Sequence, residues 1–290
     1  MRFAAVHLAH IQGQLEPAAS PRGERMDDQQ CRFLAGGVRH PVGGMDETHT
    51  GPRHGVAREI GLLWRGDLYA MPVTDESGEL VSLASVVDVL ASLTEQAPDA
   101  RPEGQRTGFT DVSYPGGDAS AELLDRLLED PRNQRVYSRL DDMLFLANLI
   151  EEAGTDTQHL RRTTFCLGQA WAYKPVTYQI GLADDYLAIH VEHSTVDGAT
   201  IKGVVAEVQK TPAPEGSSFA ASTELLEWTM PEGFSTELQA RLQSYREAAD
   251  AHQIRIVEVP FPEPAERLSH DALQQWLLLY GQLAAFGEIR

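Results

Sequence analysis

The stretch from Pro175 to Val208 constrains this chain most. Pro175 to Leu182 and Tyr186 to His193 are rich in β-formers and are split by Ala183-Asp184-Asp185, which is the pattern of a hairpin. Gly198 follows closely, and then Ile201, Val204, Val205 and Val208 recur at i, i+3, i+4 and i+7, the spacing of a helix with one apolar face. A hairpin that runs directly into such a helix points to a mixed α/β class.

The rest of the chain carries the same alternation, without a regular period. IGLLW, the turn Arg65-Gly66-Asp67 and LYAMPV predict a second hairpin over Ile60 to Val73. Helical composition marks Leu80 to Gln96, and a Pro-rich break follows at 98–104. A helix is expected from about Ala119 to Glu129. Another is expected from Asn133 to Glu152, with Val136, Leu140, Met143, Leu144 and Ala147 on one face. Residues 211–222 (TPAPEGSSFAAS) look like a linker. Beyond them lie a helix from Ser235 to His252, a short strand Ile254 to Val259, and a last helix capped by Ser269. Residues 12–25 (QGQLEPAASPRGER) have the composition of a tail, so residues 1–25 are expected to be poorly ordered.

Composition narrows the partners. With 24 Lys and Arg against 43 Asp and Glu, the net charge is −19, which argues against nucleic acid, whose phosphates reward basic surfaces. Two cysteines, Cys31 and Cys166, have no metal-type spacing, so neither a disulfide framework nor a zinc site is expected, and a reducing cytoplasm fits. No apolar run approaches the length of a membrane span.

Chemistry concentrates at the end of the second hairpin. Period-two alternation puts Leu187, Ile189, Val191 and His193 on one face, with Tyr186, Ala188, His190 and Glu192 on the other. An imidazole at the mouth of an apolar strand face is partly desolvated and neutral, the state a general base needs. A satisfied core histidine has the same pattern. His190 and His193 point to opposite faces, so a shared metal is not expected. Asp197, at the entry of the next helix, is either a helix N-cap or a functional acid.

Residues 170–201, AWAYKPVTYQIGLADDYLAIHVEHSTVDGATI, resemble the catalytic segment of the choline/carnitine O-acyltransferases. There a Trp-x-x-Lys-Pro segment leads through a hairpin into Glu-His-Ser/Ala-x-x-Asp/Glu-Gly/Ala. His193-Ser194-Thr195-Val196-Asp197-Gly198 is also the His-x-x-x-Asp-Gly signature of the wider chloramphenicol-acetyltransferase-like superfamily. MDDQQCRFLAGGVRHPVGGMDE (26–47) and Tyr69-Ala70-Met71-Pro72-Val73 are similar to the family's early Arg-x-Pro segment and the strand after it. MPEGFS (230–235), Pro260-Phe261-Pro262 and Leu268-Ser269-x-Asp271-Ala272 follow in the family's order. The likeness covers about residues 26–290.

The resemblance implies a mixed sheet flanked by helices, with a catalytic-His domain over 26–210, a linker at 211–222, and a partial second domain over 223–290. It implies direct transfer of an acyl group from acyl-CoA, a co-substrate rather than a bound cofactor, to the hydroxyl of carnitine or choline. His193 matches the general base and Asp197 the acid that orients the site. The segment after Phe261-Pro262, where the family places a Lys near the CoA phosphate, carries Glu263, with Arg267 as a substitute and Arg246 and Arg255 as other anchors. No Ser-Thr-Ser motif, the family's source of an oxyanion donor, stands in these residues. The chain is therefore expected to be shortened at both ends relative to the family. Two functions remain open: an acyltransferase, or a non-catalytic remnant that keeps the scaffold and oligomerises through exposed apolar surface.

Overall fold

Local turn chemistry builds the centre of the sheet. In the computed structural model, which describes residues 1–15, 28–51, 58–95, 108–217, 219–254, 256 and 269–287, Arg65 and Gly66 have φ of 52° and 85°. Two successive positive φ values are what a two-residue hairpin turn needs to match the twist of its strands.

The chain opens with α1 (Arg2–Ile11) and a short 3₁₀ helix at Gln29–Ala35, followed by a two-stranded ribbon, β1 (Gly37–His40) and β2 (Glu47–Thr50). The hairpin strands β3 (Glu59–Trp64) and β4 (Asp67–Pro72) come next, then α2 (Leu83–Thr94), α3 (Gly117–Leu128), α4 (Pro131–Asp142), β5 (Leu146–Ile150) and α5 (Asp156–Phe165). The second hairpin is β6 (Val176–Gly181) and β7 (Leu187–Val191), and α6 (Gly198–Lys210), β8 (Glu224–Leu225), α7 (Phe234–Arg241) and α8 (Gln243–Ala251) complete this unit.

Six strands form one mixed sheet in the order β7-β6-β5-β3-β4-β8. The β3–β5 and β5–β6 pairs are parallel, and β3–β4, β4–β8 and β6–β7 are antiparallel. Alternate residues feed two apolar layers, as the strand period of two requires. One face buries Ile60, Leu62, Met71, Ala147 and Tyr178 under α1, α2 and Val204 of α6. The other buries Leu63, Ala70 and Leu146 under α3, α4 and α7, with Trp171 between. The first compact unit spans Met1–Ile254 and the second Arg255–Arg290, in which the described helix is α9 (His270–Phe286), capped by the Ser269 hydroxyl as expected.

Three expectations need correction. Residues 2–11 do not form a poorly ordered tail: α1 buries Ala4, Val6, His7 and Leu8. Its polar residue is absorbed because both ring nitrogens of His7 find partners. Nδ1–H donates to the Leu34 carbonyl (2.7 Å), and Nε2 accepts from the Tyr178 hydroxyl (2.9 Å). Burial holds this imidazole down at about 4 and neutral. The helix expected over 133–152 ends at Asp142, and Leu146–Ile150 is the fully buried strand β5. A central strand covered on both faces shows a continuous apolar run, which helical spacing can mimic. Finally, the compact unit runs past the expected linker at 211–222: β8 pairs with β4, and Phe234, Leu238 and Leu242 are fully buried in the second layer.

Candidate active-site corner

The β6–β7 register sets Val176 opposite Val191 and Thr177 opposite His190, which brings the end of β7 beside Lys174-Pro175. The Glu192 N–H donates to the Pro175 carbonyl (3.1 Å), and the Glu192 carbonyl accepts from the N–H groups of Thr195 and Val196 (3.1 Å each). That tight turn buries Glu192, Thr195 and Val196 and leaves His193 and Ser194 exposed at its crest. The apolar-face setting expected for His193 is therefore not what surrounds it. β7 ends at Val191 and is the outermost strand of the sheet, so the alternation predicts a direction but no cover.

Asp197 is the N-cap of α6: its carboxylate accepts from the Thr200 N–H at 2.9 Å. That bond is the main cause holding its carboxyl below the usual carboxylate range. Gln30 reaches the same corner across 167 residues of sequence. Its Oε1 accepts from the Asp197 N–H (2.8 Å) and from the Thr200 hydroxyl (2.8 Å), and its Nε2 donates to Asp197 Oδ2 (3.3 Å).

On the other side of His193, the Glu192 carboxylate lies 3.5 Å from Arg39 Nη1 and accepts from the Ser194 hydroxyl at 2.6 Å. Arg39 also lies 3.4 Å from Asp46 and is stacked over the Tyr173 ring, 4.7 Å from its centre. Gly36 and Gly37, with φ of 105° and 107°, turn the chain into β1 and so aim Arg39 at this corner. A Cβ on Gly36 would stand 2.9 Å from the Asp142 carbonyl oxygen, so backbone approach excludes side chains there. Beneath lies Lys174, fully buried, whose Nζ donates to the carbonyls of Leu140 (2.7 Å) and Asp141 (3.1 Å) at the end of α4. Burial brings this ammonium down to about 7. Gln30, Arg39 and Tyr173 were not singled out from the sequence. The available signal was that Arg39 heads the Arg-x-Pro segment and Tyr173 stands within Trp171-Ala172-Tyr173-Lys174-Pro175.

The remaining site residues are scattered. His190 lies opposite Thr177 in the β6–β7 register, and burial lowers its pKa against the opposing pull of Glu192. Among the described residues, no group of three or more His, Cys, Asp or Glu is placed to hold a metal ion. Arg246 lines a cavity of about 690 Å³ beside Asp111, Asn148 and Gln169, at the Ile150 end of the parallel strands, whereas His193 lies at the Leu146 end. Arg255, Glu263 and Arg267 lie outside the described residues.

A mixed sheet with helices on both faces, and a Glu-His-Ser-x-x-Asp-Gly corner joining its edge strand to a helix, is the frame of an acyltransferase. The model of the choline/carnitine O-acyltransferase family matches residues 5–290, nearly the whole sequence, and the chain belongs to that family. The match begins within α1, upstream of the start near residue 26 read from the sequence. Compared with curated proteins, the chain has no match. Among the described residues, no helix is long and apolar enough to cross a membrane.

Proposed function

We propose that this protein transfers an acyl group from acyl-CoA to the hydroxyl of carnitine or choline, with His193 as the general base. An alcohol is too weak an acid to ionise at neutral pH, so a base within hydrogen-bond reach must take its proton as the oxygen attacks. The imidazole of His193 accepts that proton while the alcohol oxygen bonds to the thioester carbon. As the tetrahedral intermediate collapses, the C–S bond breaks and the imidazolium returns the proton to the CoA thiolate. No acyl-enzyme forms.

One observation supports this reading above others: His193 stands exposed at the crest of a turn whose two flanks are fixed. The ring can meet two substrates, while Glu192 and Asp197 on either side are tied into the fold. Asp197 orients the corner through its cap of α6 and transfers no proton. Arg267 is the proposed anchor for a CoA phosphate.

The test is His193→Ala, assayed with acetyl-, octanoyl- and palmitoyl-CoA and with carnitine and choline. Loss of a positioned base lowers kcat by about 10²- to 10⁴-fold, and because the ring is exposed the variant keeps its thermal midpoint. Turnover that survives the change removes His193 from the role of base. A wild-type chain inert toward every pair would point to the scaffold reading instead.

A further inference from the structure

The segment 30–39 touches the His193 turn at two separate points. Gln30 holds the entry of α6 through Asp197 and Thr200, and Arg39 holds the buried Glu192 carboxylate at the exit of β7. Between these points the chain has only the four residues 193–196, with His193 at the crest. Neither Gln30 nor Arg39 hydrogen-bonds to the His193 ring, and each is fixed from its own side. Gln30 is the second residue of the 3₁₀ helix. Arg39 is gripped by Tyr173 and Asp46, and its backbone N–H donates to the Tyr173 carbonyl at 2.9 Å.

We propose that Gln30 and Arg39 are positioning residues for His193, a two-point clamp that fixes the direction of the imidazole. The proposal rests on the reading of His193 as the base. The physical reason is that the turn packs Thr195 and Val196 inward but leaves its crest, His193 and Ser194, outside the core, so the fixed flanks must set the direction of the ring. The two grips differ in kind. Arg39 neutralises a carboxylate that is nearly out of solvent, which an uncharged side chain cannot do. Gln30 is both acceptor and donor at once, which a carboxylate in its place cannot be: it would face the Asp197 carboxylate.

Two measurements on the full chain test this. Amide hydrogen exchange is followed in wild type, Arg39→Met, Arg39→Lys, Gln30→Ala and Gln30→Glu, and kcat and KM are measured on the same samples. The clamp requires exchange at Glu192–Thr200 to speed up by about tenfold or more in Arg39→Met, Gln30→Ala and Gln30→Glu, while amides of β3 and β5 keep their protection. Arg39→Lys, which keeps the charge, should fall between wild type and Arg39→Met. With a misaimed base, kcat drops about 10- to 100-fold at little-changed KM. Local exchange that stays at the wild-type rate, or a loss of protection spread evenly over the sheet, overturns the clamp. Because exchange needs no turnover, an inactive wild type would sink the catalytic assignment and leave the exchange result to decide the clamp.

Discussion

Lys174→Met should change how the stability of this protein depends on pH, by an amount the structure sets. Lys174 is completely buried, and its ammonium is brought from 10.5 down to about 7, chiefly by burial, with Asp141 and Asp142 opposing. A lysine whose folded value lies below its unfolded one is protonated more in the unfolded chain throughout the window between them. The unfolding free energy therefore rises with pH across that window. Below about pH 7 the full penalty of a buried charge is present, and near pH 10.5 it has gone. At about 1.4 kcal/mol per pH unit, the window from about 7 to 10.5 is worth about 5 kcal/mol. Methionine fills a similar volume but leaves the Leu140 and Asp141 carbonyls without their donor, a roughly pH-independent loss of about 1–3 kcal/mol. Urea unfolding of both proteins between pH 6.5 and 10.5, followed by the fluorescence of buried Trp171, gives the difference curve in which other titrating groups largely cancel. Wild type should gain on the variant by about 5 kcal/mol as pH rises. Curves that stay parallel within about 1 kcal/mol would refute the reasoning, since Lys174 would then have the same proton affinity folded and unfolded.

Other expectations follow from the same packing. His7 is held at about 4, so between its ordinary 6.5 and that value the unfolded chain binds the extra proton. Stability relative to a His7→Met variant is thus full above pH 6.5 and falls by about 3 kcal/mol as pH drops toward 4, measurable by urea titration. Tyr178→Phe leaves His7 Nε2 buried without its donor and should cost about 1–3 kcal/mol by the same assay. Phe234→Ala, in a residue with no exposed surface, should cost about 3–5 kcal/mol in the main cooperative transition. A separate, unaffected main transition would show that residues past 222 do not share its core.

Both hairpins and the helix after Gly198 were legible because their signals are local: turn residues, alternation of two, spacing of 3.6. β5 was not, because a strand buried on both faces loses its alternation, and Leu144, Ala147 and Leu140 also fit a helical stripe. α1 was hidden by His7 and His10, whose polarity counts against burial until the distant hydroxyl of Tyr178 supplies a partner. At the site, His193 was read as the end of the strand's apolar face, whereas β7 stops at Val191, and its exposure could not be read. Exposure depends on β7 being the sheet's edge, a property of strand order rather than of sequence spacing. The Arg39–Glu192 pair likewise joins residues more than 150 positions apart, and no local pattern links them.

The bond between His7 and Tyr178 joins residues 171 positions apart, and this sets a schedule for the protein's birth. At roughly 5–20 residues per second of synthesis, the strand that shelters α1 emerges about 10 to 30 seconds after α1 itself. Throughout that interval the helix has Leu34 of the 3₁₀ helix as a partner for His7 but not the Tyr178 hydroxyl on the other ring nitrogen. The buried place of His7 is therefore completed only once β6 has been made.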